Sequence, residues 1–81
     1  MQVTVSFYSY LKDLTECPQT VETLPDGSTL DELFKKILAR FPRLEAMKKS
    51  ILMAVELDYQ KGNYVLNAGD QVSLFPPVQG G

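Results

Sequence analysis

Apolar and polar residues alternate in three stretches of the chain, 1–8, 51–58 and 71–75. Because successive side chains of a strand point to opposite faces, this alternation predicts three strands that each bury one face. The stretch 51–58 is apolar on both faces at its start, which indicates a strand interior to the sheet. The residues expected on the buried face of the first and last strands are Val3, Val5, Phe7, Val72 and Leu74.

A stripe of apolar residues with helical spacing follows Thr29. Its members are Leu30, Leu33, Phe34, Ile37, Leu38 and Phe41. Thr29 and Glu32 fit a capping box, in which the hydroxyl accepts from a first-turn N–H and the carboxylate accepts from the N–H of the capping residue. Pro42 disfavours helical geometry in the residue before it, so the helix should end at Phe41. The stripe predicts a core helix and not a cofactor-binding element.

The remaining segments predict short elements and turns. A β-branched run at 20–24 precedes a Pro-Asp-Gly turn signal and predicts the second strand of a hairpin. The other expected elements are a short helical connection around Leu11 and Leu14, a short helix over 43–50, turns at 61–63 and 67–70, and a very short strand at Val65 and Leu66. A hairpin, one long helix and further strands bury a helix stripe against one sheet face, which makes a two-layer α+β domain.

Composition narrows the possible functions. The chain has 81 residues, a net charge of −2, one cysteine and no histidine. One cysteine excludes an internal disulfide and a multi-cysteine metal site, and the lack of histidine removes the usual general base, so no metal site is expected. The negative charge disfavours nucleic-acid binding. The lack of a long apolar run or a signal-peptide pattern predicts a cytoplasmic protein that does not enter membranes.

A tail, 76–81, is expected to follow a domain formed by 1–75. Pro76 and Pro77 each fix φ and lack an N–H, so the last strand should end before them and the tail should leave as a stiff, extended rod. Val78 is the one sizeable apolar side chain after the prolines. We interpret it as an anchor for a partner.

The tail ends in Gln79, Gly80 and Gly81. Glycine lacks a Cβ, so two terminal glycines fit a narrow channel and leave the last carbonyl carbon open to attack. This indicates that the terminal carboxylate is chemically used, typically by adenylation with ATP. Taken alone, Gly80-Gly81 is equally compatible with a frayed terminus.

The element order and residues 69–81 resemble the MoaD family, the small sulfur-carrier subunits of molybdopterin synthase, which have the ubiquitin-like β-grasp fold. Members end in a Gly-Asp turn, a strand, Pro-Pro-Val, one variable residue and Gly-Gly. The matching residues here are Gly69-Asp70, 71–75, Pro76-Pro77-Val78, Gln79 and Gly80-Gly81. The segments Pro25 to Leu33 and Met53-Ala54-Val55 also fit the family.

The resemblance implies a carrier that is not catalytic alone and binds no cofactor. A MoeB-like enzyme would use ATP to adenylate Gly81, and a persulfide sulfur donor would supply the sulfur of a thiocarboxylate, a 1-thioglycine. The tail from Pro76 to Gly80 would then enter a MoaE-like large subunit, where the sulfur passes to cyclic pyranopterin monophosphate during molybdenum cofactor biosynthesis. The family's heterotetramer is one possible assembly, and the sequence leaves the assembly state open.

Three aromatic residues are expected beside the exit of the tail. If Phe7 faces the core, Tyr8 points away from it, and Phe75 is likewise out of phase with Leu74. Tyr59 stands where, by resemblance, the family often has an exposed apolar residue. Because aromatic residues are enriched in interface cores, we predict that these three form a docking patch. The alternative is that one or more of them covers a sheet edge or lies in a loop.

Other functions remain open at this point. A ubiquitin-like protein modifier would use the same activated glycine, a plain interaction domain would not need the tail, and a sulfur carrier could serve thiamine, tRNA thiolation or a tungsten cofactor. Cys17 has no basic neighbour in sequence to stabilise a thiolate, so no sulfur role is expected for it. Glu56 stands where, by resemblance, related chains commonly have Asn. The sequence therefore does not decide whether the Glu56 side chain makes a hydrogen bond at the turn.

Overall fold

The computed structural model describes residues 1–77, which form a five-stranded mixed sheet packed against one main helix. The elements are β1 (Gln2–Phe7), α1 (Leu11–Thr15), β2 (Gln19–Thr23), α2 (Leu30–Arg40), a 3-10 segment (Pro42–Ser50), β3 (Leu52–Val55), β4 (Asp58–Tyr59) and β5 (Gln71–Phe75). The strand order is β2-β1-β5-β3-β4, in which β1 and β5 are parallel and the other neighbours are antiparallel. The predicted α+β, β-grasp architecture is confirmed.

The sheet register places the predicted core residues on one face. Val5 lies opposite Val72 and Phe7 opposite Leu74, and Val72 also lies opposite Val55. Directly opposite residues share a face of the sheet, so these side chains meet in one layer. The buried core is completed from both layers by Val3, Leu11, Leu24, Leu30, Leu33, Ile37, Leu44, Ile51 and Leu66. Burying such side chains contributes roughly 1.5–3 kcal/mol each before the loss of conformational entropy is subtracted.

Helix α2 follows the prediction closely. The Thr29 hydroxyl accepts a hydrogen bond from the N–H of Glu32 at 3.3 Å, and the N–H of Thr29 donates to Glu32 Oε1 at 3.0 Å, so both halves of the capping box form. The last helical residue is Arg40, and Phe41 before Pro42 has φ −128° and ψ 73°, outside the helical region. The apolar stripe faces the sheet, and the ring of Phe41 meets Phe7 edge to face at 5.3 Å.

The prediction of one strand over 51–58 is wrong in its second half. β3 ends at Val55, and the chain reverses through Glu56 and Leu57 into β4, because Val55 pairs with Asp58 in an antiparallel hairpin. Glu56 adopts a left-handed backbone conformation, with φ 55°, which allows the reversal. β3 is interior as predicted, since it pairs with both β5 and β4.

The short strand expected at Val65 and Leu66 lies at 58–59 instead. Val65 makes only an isolated bridge to Thr29, and the N–H of Leu66 donates to the Ser28 carbonyl at 2.9 Å. Because this segment satisfies its backbone groups at the start of α2, it does not join the sheet. The helix expected over 43–50 is a 3-10 segment, interrupted at Met47 by a non-helical φ of −116°.

The C-terminal half of α2 is tied to the edge strand β2. Arg40 forms an ion pair with the buried carboxylate of Glu22 and donates to the Thr20 hydroxyl at 3.2 Å. Lys36 Nζ donates to the Thr23 carbonyl at 2.6 Å. Two of the basic residues on the helix therefore hold the helix against the sheet. Lys36 also covers the open edge of β2, which hinders pairing with a strand of another molecule.

Candidate functional site: an aromatic patch beside the tail

The face of the sheet opposite α2 has three aromatic rings in contact. Tyr8 and Phe75 stack with centroids 4.7 Å apart and planes inclined by 16°, and Tyr59 meets Phe75 edge to face at 6.1 Å. We call these three residues the aromatic patch. The sequence predicted that they lie together beside the end of β5, and the structure confirms this placement.

Strand phase explains why the rings converge. Phe7 pairs with Leu74 on the core side, so the next residue in each strand, Tyr8 or Phe75, points to the other side. The N–H of Tyr8 donates to the Leu74 carbonyl at 3.1 Å, which extends the β1–β5 ladder by one residue and holds the two rings in register. Tyr59 reaches the same face from β4, where it pairs with Ala54.

The patch is open to solvent and extends beyond the aromatic residues. Tyr8 is 44% exposed and Tyr59 67%, whereas Phe75 between them is half-buried. Leu52 lies opposite Phe75 on the same face and is 37% exposed. Leu52 was not among the predicted site residues, although its place out of phase with Met53 indicates the open face. An exposed aromatic group with an aliphatic neighbour favours the binding of a protein partner.

The β3–β4 turn is fastened to the start of β5 next to this surface. The N–H of Glu56 donates to the Gln71 carbonyl at 2.8 Å, and Glu56 Oε1 accepts from the N–H of Gln71 at 3.0 Å. The Glu56 side chain therefore does make a hydrogen bond at the turn, although related chains commonly have Asn there. Leu57 at the tip is 97% exposed.

The tail leaves the sheet at the aromatic patch. β5 ends at Phe75, and Pro76 and Pro77 follow as non-strand residues, both half-buried. This agrees with the expected effect of two prolines on a strand. The remaining predicted site residues, Val78, Gln79, Gly80 and Gly81, lie outside the described residues.

The described part of the chain offers little for metal binding or thiol chemistry. Within residues 1–77, no group of three or more His, Cys, Asp or Glu side chains is arranged to hold a metal ion. Cys17 is a half-buried free thiol whose backbone carbonyl accepts from the Thr15 hydroxyl at 2.8 Å. None of the helices described between Met1 and Pro77 has the length and apolar character needed to cross a bilayer.

Comparisons with known proteins agree with this picture. A curated relative from Arabidopsis thaliana, described as a molybdopterin synthase sulfur carrier subunit, is 24% identical over 81 residues, covering 100% of this chain and 84% of the relative. A human relative with the same description is 29% identical over 83 residues, covering 99% of this chain and 94% of the relative. These relatives support the resemblance that the tail motif indicated.

Solved structures match over the full length of the chain. SAMP1 from Haloferax volcanii superposes with a TM-score of 0.90 at 18% identity, covering 100% of both chains, which shows the shared fold alone. A chain in the complex of subunits 1 and 2 of molybdopterin-converting factor from Helicobacter pylori matches with a TM-score of 0.71 at 28% identity, again covering 100% of both chains. The sequence model of the ThiS family matches residues 5–81, and the chain therefore belongs to the ThiS family.

Proposed function

We propose that this chain is the sulfur carrier subunit of molybdopterin synthase and that Gly81 holds the sulfur as a thiocarboxylate. The single observation that supports this most strongly is the aromatic patch at the end of β5, because the strand that ends there leads through Pro76 and Pro77 into the tail. A carrier needs a docking face and a reactive end that reaches past it. The six residues 76–81 span at most about 20 Å when extended, enough to enter a partner's active site.

The proposed loading reaction activates the carboxylate of Gly81. Its oxygen attacks the α-phosphorus of ATP and pyrophosphate leaves, catalysed by a MoeB-like adenylating enzyme. The terminal sulfur of a persulfide donor then attacks the carbonyl carbon and AMP leaves, which forms an acyl disulfide. A thiol reductant cleaves the sulfur–sulfur bond and leaves the thiocarboxylate on the carrier.

Delivery takes place in a MoaE-like large subunit. The sulfur is transferred to cyclic pyranopterin monophosphate, and water restores the carboxylate of Gly81. Support for such a partner comes from the Helicobacter pylori match, which is a complex of two subunits. Tyr8, Tyr59 and Phe75 dock the carrier, Val78 and Gln79 lie along the entry channel, and Gly80 gives the room that the reaction needs.

The proposed division of labour explains a chain with no histidine. The partners supply the acid and base groups, while this chain supplies a docking face and an acyl carbon. The reaction partners are metabolic enzymes, so we place the protein in the cytoplasm.

Intact-mass spectrometry tests the proposal. The purified chain is incubated with ATP, the adenylating enzyme of the same organism, a persulfide donor and a thiol reductant. We expect a mass gain equal to the exchange of one oxygen for one sulfur. A variant truncated after Gln79 is the matched control and should not change in mass. No gain in the full chain with an active adenylating enzyme would contradict thiocarboxylate formation.

A second arm separates the sulfur carrier from the alternatives. The loaded chain is mixed with the large subunit and cyclic pyranopterin monophosphate, and the carrier should return to its carboxylate mass while the pterin gains sulfur. Isopeptide-linked conjugates of the chain with other proteins, formed without sulfur transfer to the pterin, would instead favour a protein modifier.

A further inference from the structure

The β3–β4 turn presents one leucine almost completely to solvent. Leu57 is 97% exposed, the highest value among the large apolar side chains described in residues 1–77. A single exposed leucine is ordinary on a protein surface, so its exposure alone indicates nothing. The backbone of the turn and the residues around Leu57 are what indicate a role in binding.

The turn that presents Leu57 is both strained and firmly held. Glu56 has a φ of 55°, a left-handed conformation that glycine or asparagine adopts with less strain. Two hydrogen bonds fasten this residue to Gln71, one through its N–H at 2.8 Å and one through its carboxylate at 3.0 Å. A strained residue held by its surroundings is a reason to look for function. Here the two hydrogen bonds to Gln71 keep the backbone next to Leu57 rigid.

The turn is continuous with the aromatic patch. Leu57 belongs to the same hairpin as Tyr59, whose ring contacts Phe75. Along β5 the turn is level with Gln71, four residues before Phe75, a separation of about 13 Å. A standard interface buries about 800 Å² on each partner, which is wide enough to cover both places.

The charges around Leu57 indicate the chemistry of its binding site. Exposed carboxylates of Glu56 and Asp58 flank it in sequence, and neither forms an ion pair within residues 1–77. A surface that accepts this turn must bury an aliphatic side chain between two negative groups. An apolar pocket with a lysine or arginine rim meets that requirement.

We propose that Leu57 is a second anchor for the large subunit, inserted into an apolar pocket with a basic rim. This proposal rests on the proposed function, since it names a further contact for the same partner. The rigid turn lowers the entropy lost on docking, which favours a small anchor of this kind. The Glu56 carboxylate is a positioning group that holds the turn against Gln71.

Binding of the carrier to the large subunit of the same organism tests the proposal by calorimetric titration. Leu57→Ser should weaken binding about tenfold or more, as expected for a buried anchor. Val65→Ser is the matched control, because Val65 is also exposed, at 54%, but bridges to the start of α2, away from the patch. Its affinity should stay within about twofold of the wild type. Asp58→Asn should reduce the dependence of affinity on salt, since it removes one interfacial charge.

The outcomes separate this inference from the proposed function. If Leu57→Ser binds like Val65→Ser while Phe75→Ser binds weakly, the Leu57 anchor is wrong and docking through the patch stands. If the wild-type chain does not bind the large subunit, the proposed function and this anchor are both overturned. Thermal unfolding of each variant verifies the fold, and an unchanged melting temperature with weakened binding supports the anchor.

Discussion

Tyr8 and Phe75 stack at 4.7 Å on the face of the sheet away from α2. They belong to the two parallel strands at the centre of the sheet, β1 and β5. Phe75 also contacts Tyr59, so it is the ring that joins the patch together. Because the tail begins at the next residue, Pro76, a partner that binds this ring also fixes the starting point of the tail.

Replacing Phe75 with serine should weaken binding of the large subunit about tenfold or more, because it removes the central apolar side chain of the patch. The domain should stay folded, since Phe75 lies on the open face and outside the buried core. Calorimetric titration measures the first effect and thermal unfolding the second.

Val21→Ser is the control for this prediction. Val21 is an exposed apolar residue, at 55%, on the strand at the opposite edge of the sheet from Tyr59, and it is level with Gln71, four residues before Phe75. It should leave the affinity for the large subunit nearly unchanged. Equal effects of the two substitutions would mean that general apolar character, and not the aromatic patch, governs binding.

Replacing Arg40 with alanine should destabilise the domain by about 1–3 kcal/mol, because it leaves the carboxylate of Glu22 buried without its charged partner. The half-exposed position of Arg40 places the expected value below that of a fully buried pair. Urea unfolding followed by circular dichroism measures the change in the free energy of unfolding.

Two further variants test the cause of that loss. Arg43→Ala removes an exposed arginine that makes no ion pair within residues 1–77, and it should change the free energy of unfolding by less than about 0.5 kcal/mol. Adding Glu22→Gln to Arg40→Ala should recover part of the lost stability, because it removes the unpaired charge. No recovery would indicate that Arg40 acts through packing of its stem.

Much of the fold could be predicted because strand and helix periods have direct structural meaning. The alternation around Val5 and Phe7 determines which side of β1 faces the core, and the same phase places Tyr8 on the other side. The capping pair Thr29 and Glu32 marks the start of α2 by a local hydrogen-bonding pattern. These features depend on residues close in sequence, so the sequence alone contains them.

The β3–β4 reversal was missed because its cause is not local. Val55 and Leu57 continue the spacing of a strand, and neither Glu56 nor Leu57 is a usual turn residue. The reversal is stabilised by two hydrogen bonds between Glu56 and Gln71, fifteen residues later in the chain. The prediction of a short strand at Val65 and Leu66 was wrong for a related reason, since the backbone partners of these two residues lie at the start of α2.

Replacing Thr29 with alanine should lower the free energy of unfolding by about 1 kcal/mol, because it removes the side-chain acceptor for the N–H of Glu32. Thr29→Ser keeps the hydroxyl and should be nearly neutral. Urea unfolding of the two variants makes the comparison. A similar loss in both would assign the effect to the threonine methyl group and not to the cap.

Replacing Gly69 with alanine should lower the free energy of unfolding by about 1–2 kcal/mol, because Gly69 has a φ of 84° and a left-handed backbone disfavours most residues with a Cβ. An added Cβ would meet nothing within 4 Å, so the cost should be conformational and not steric. The turn matters because the N–H of Gly69 donates to the Gln2 carbonyl at 2.8 Å, which aligns β5 with β1. Gly69→Asn should cost clearly less than Gly69→Ala, since asparagine tolerates this conformation. Urea unfolding measures both losses, and an asparagine variant as unstable as the alanine variant would contradict the conformational explanation.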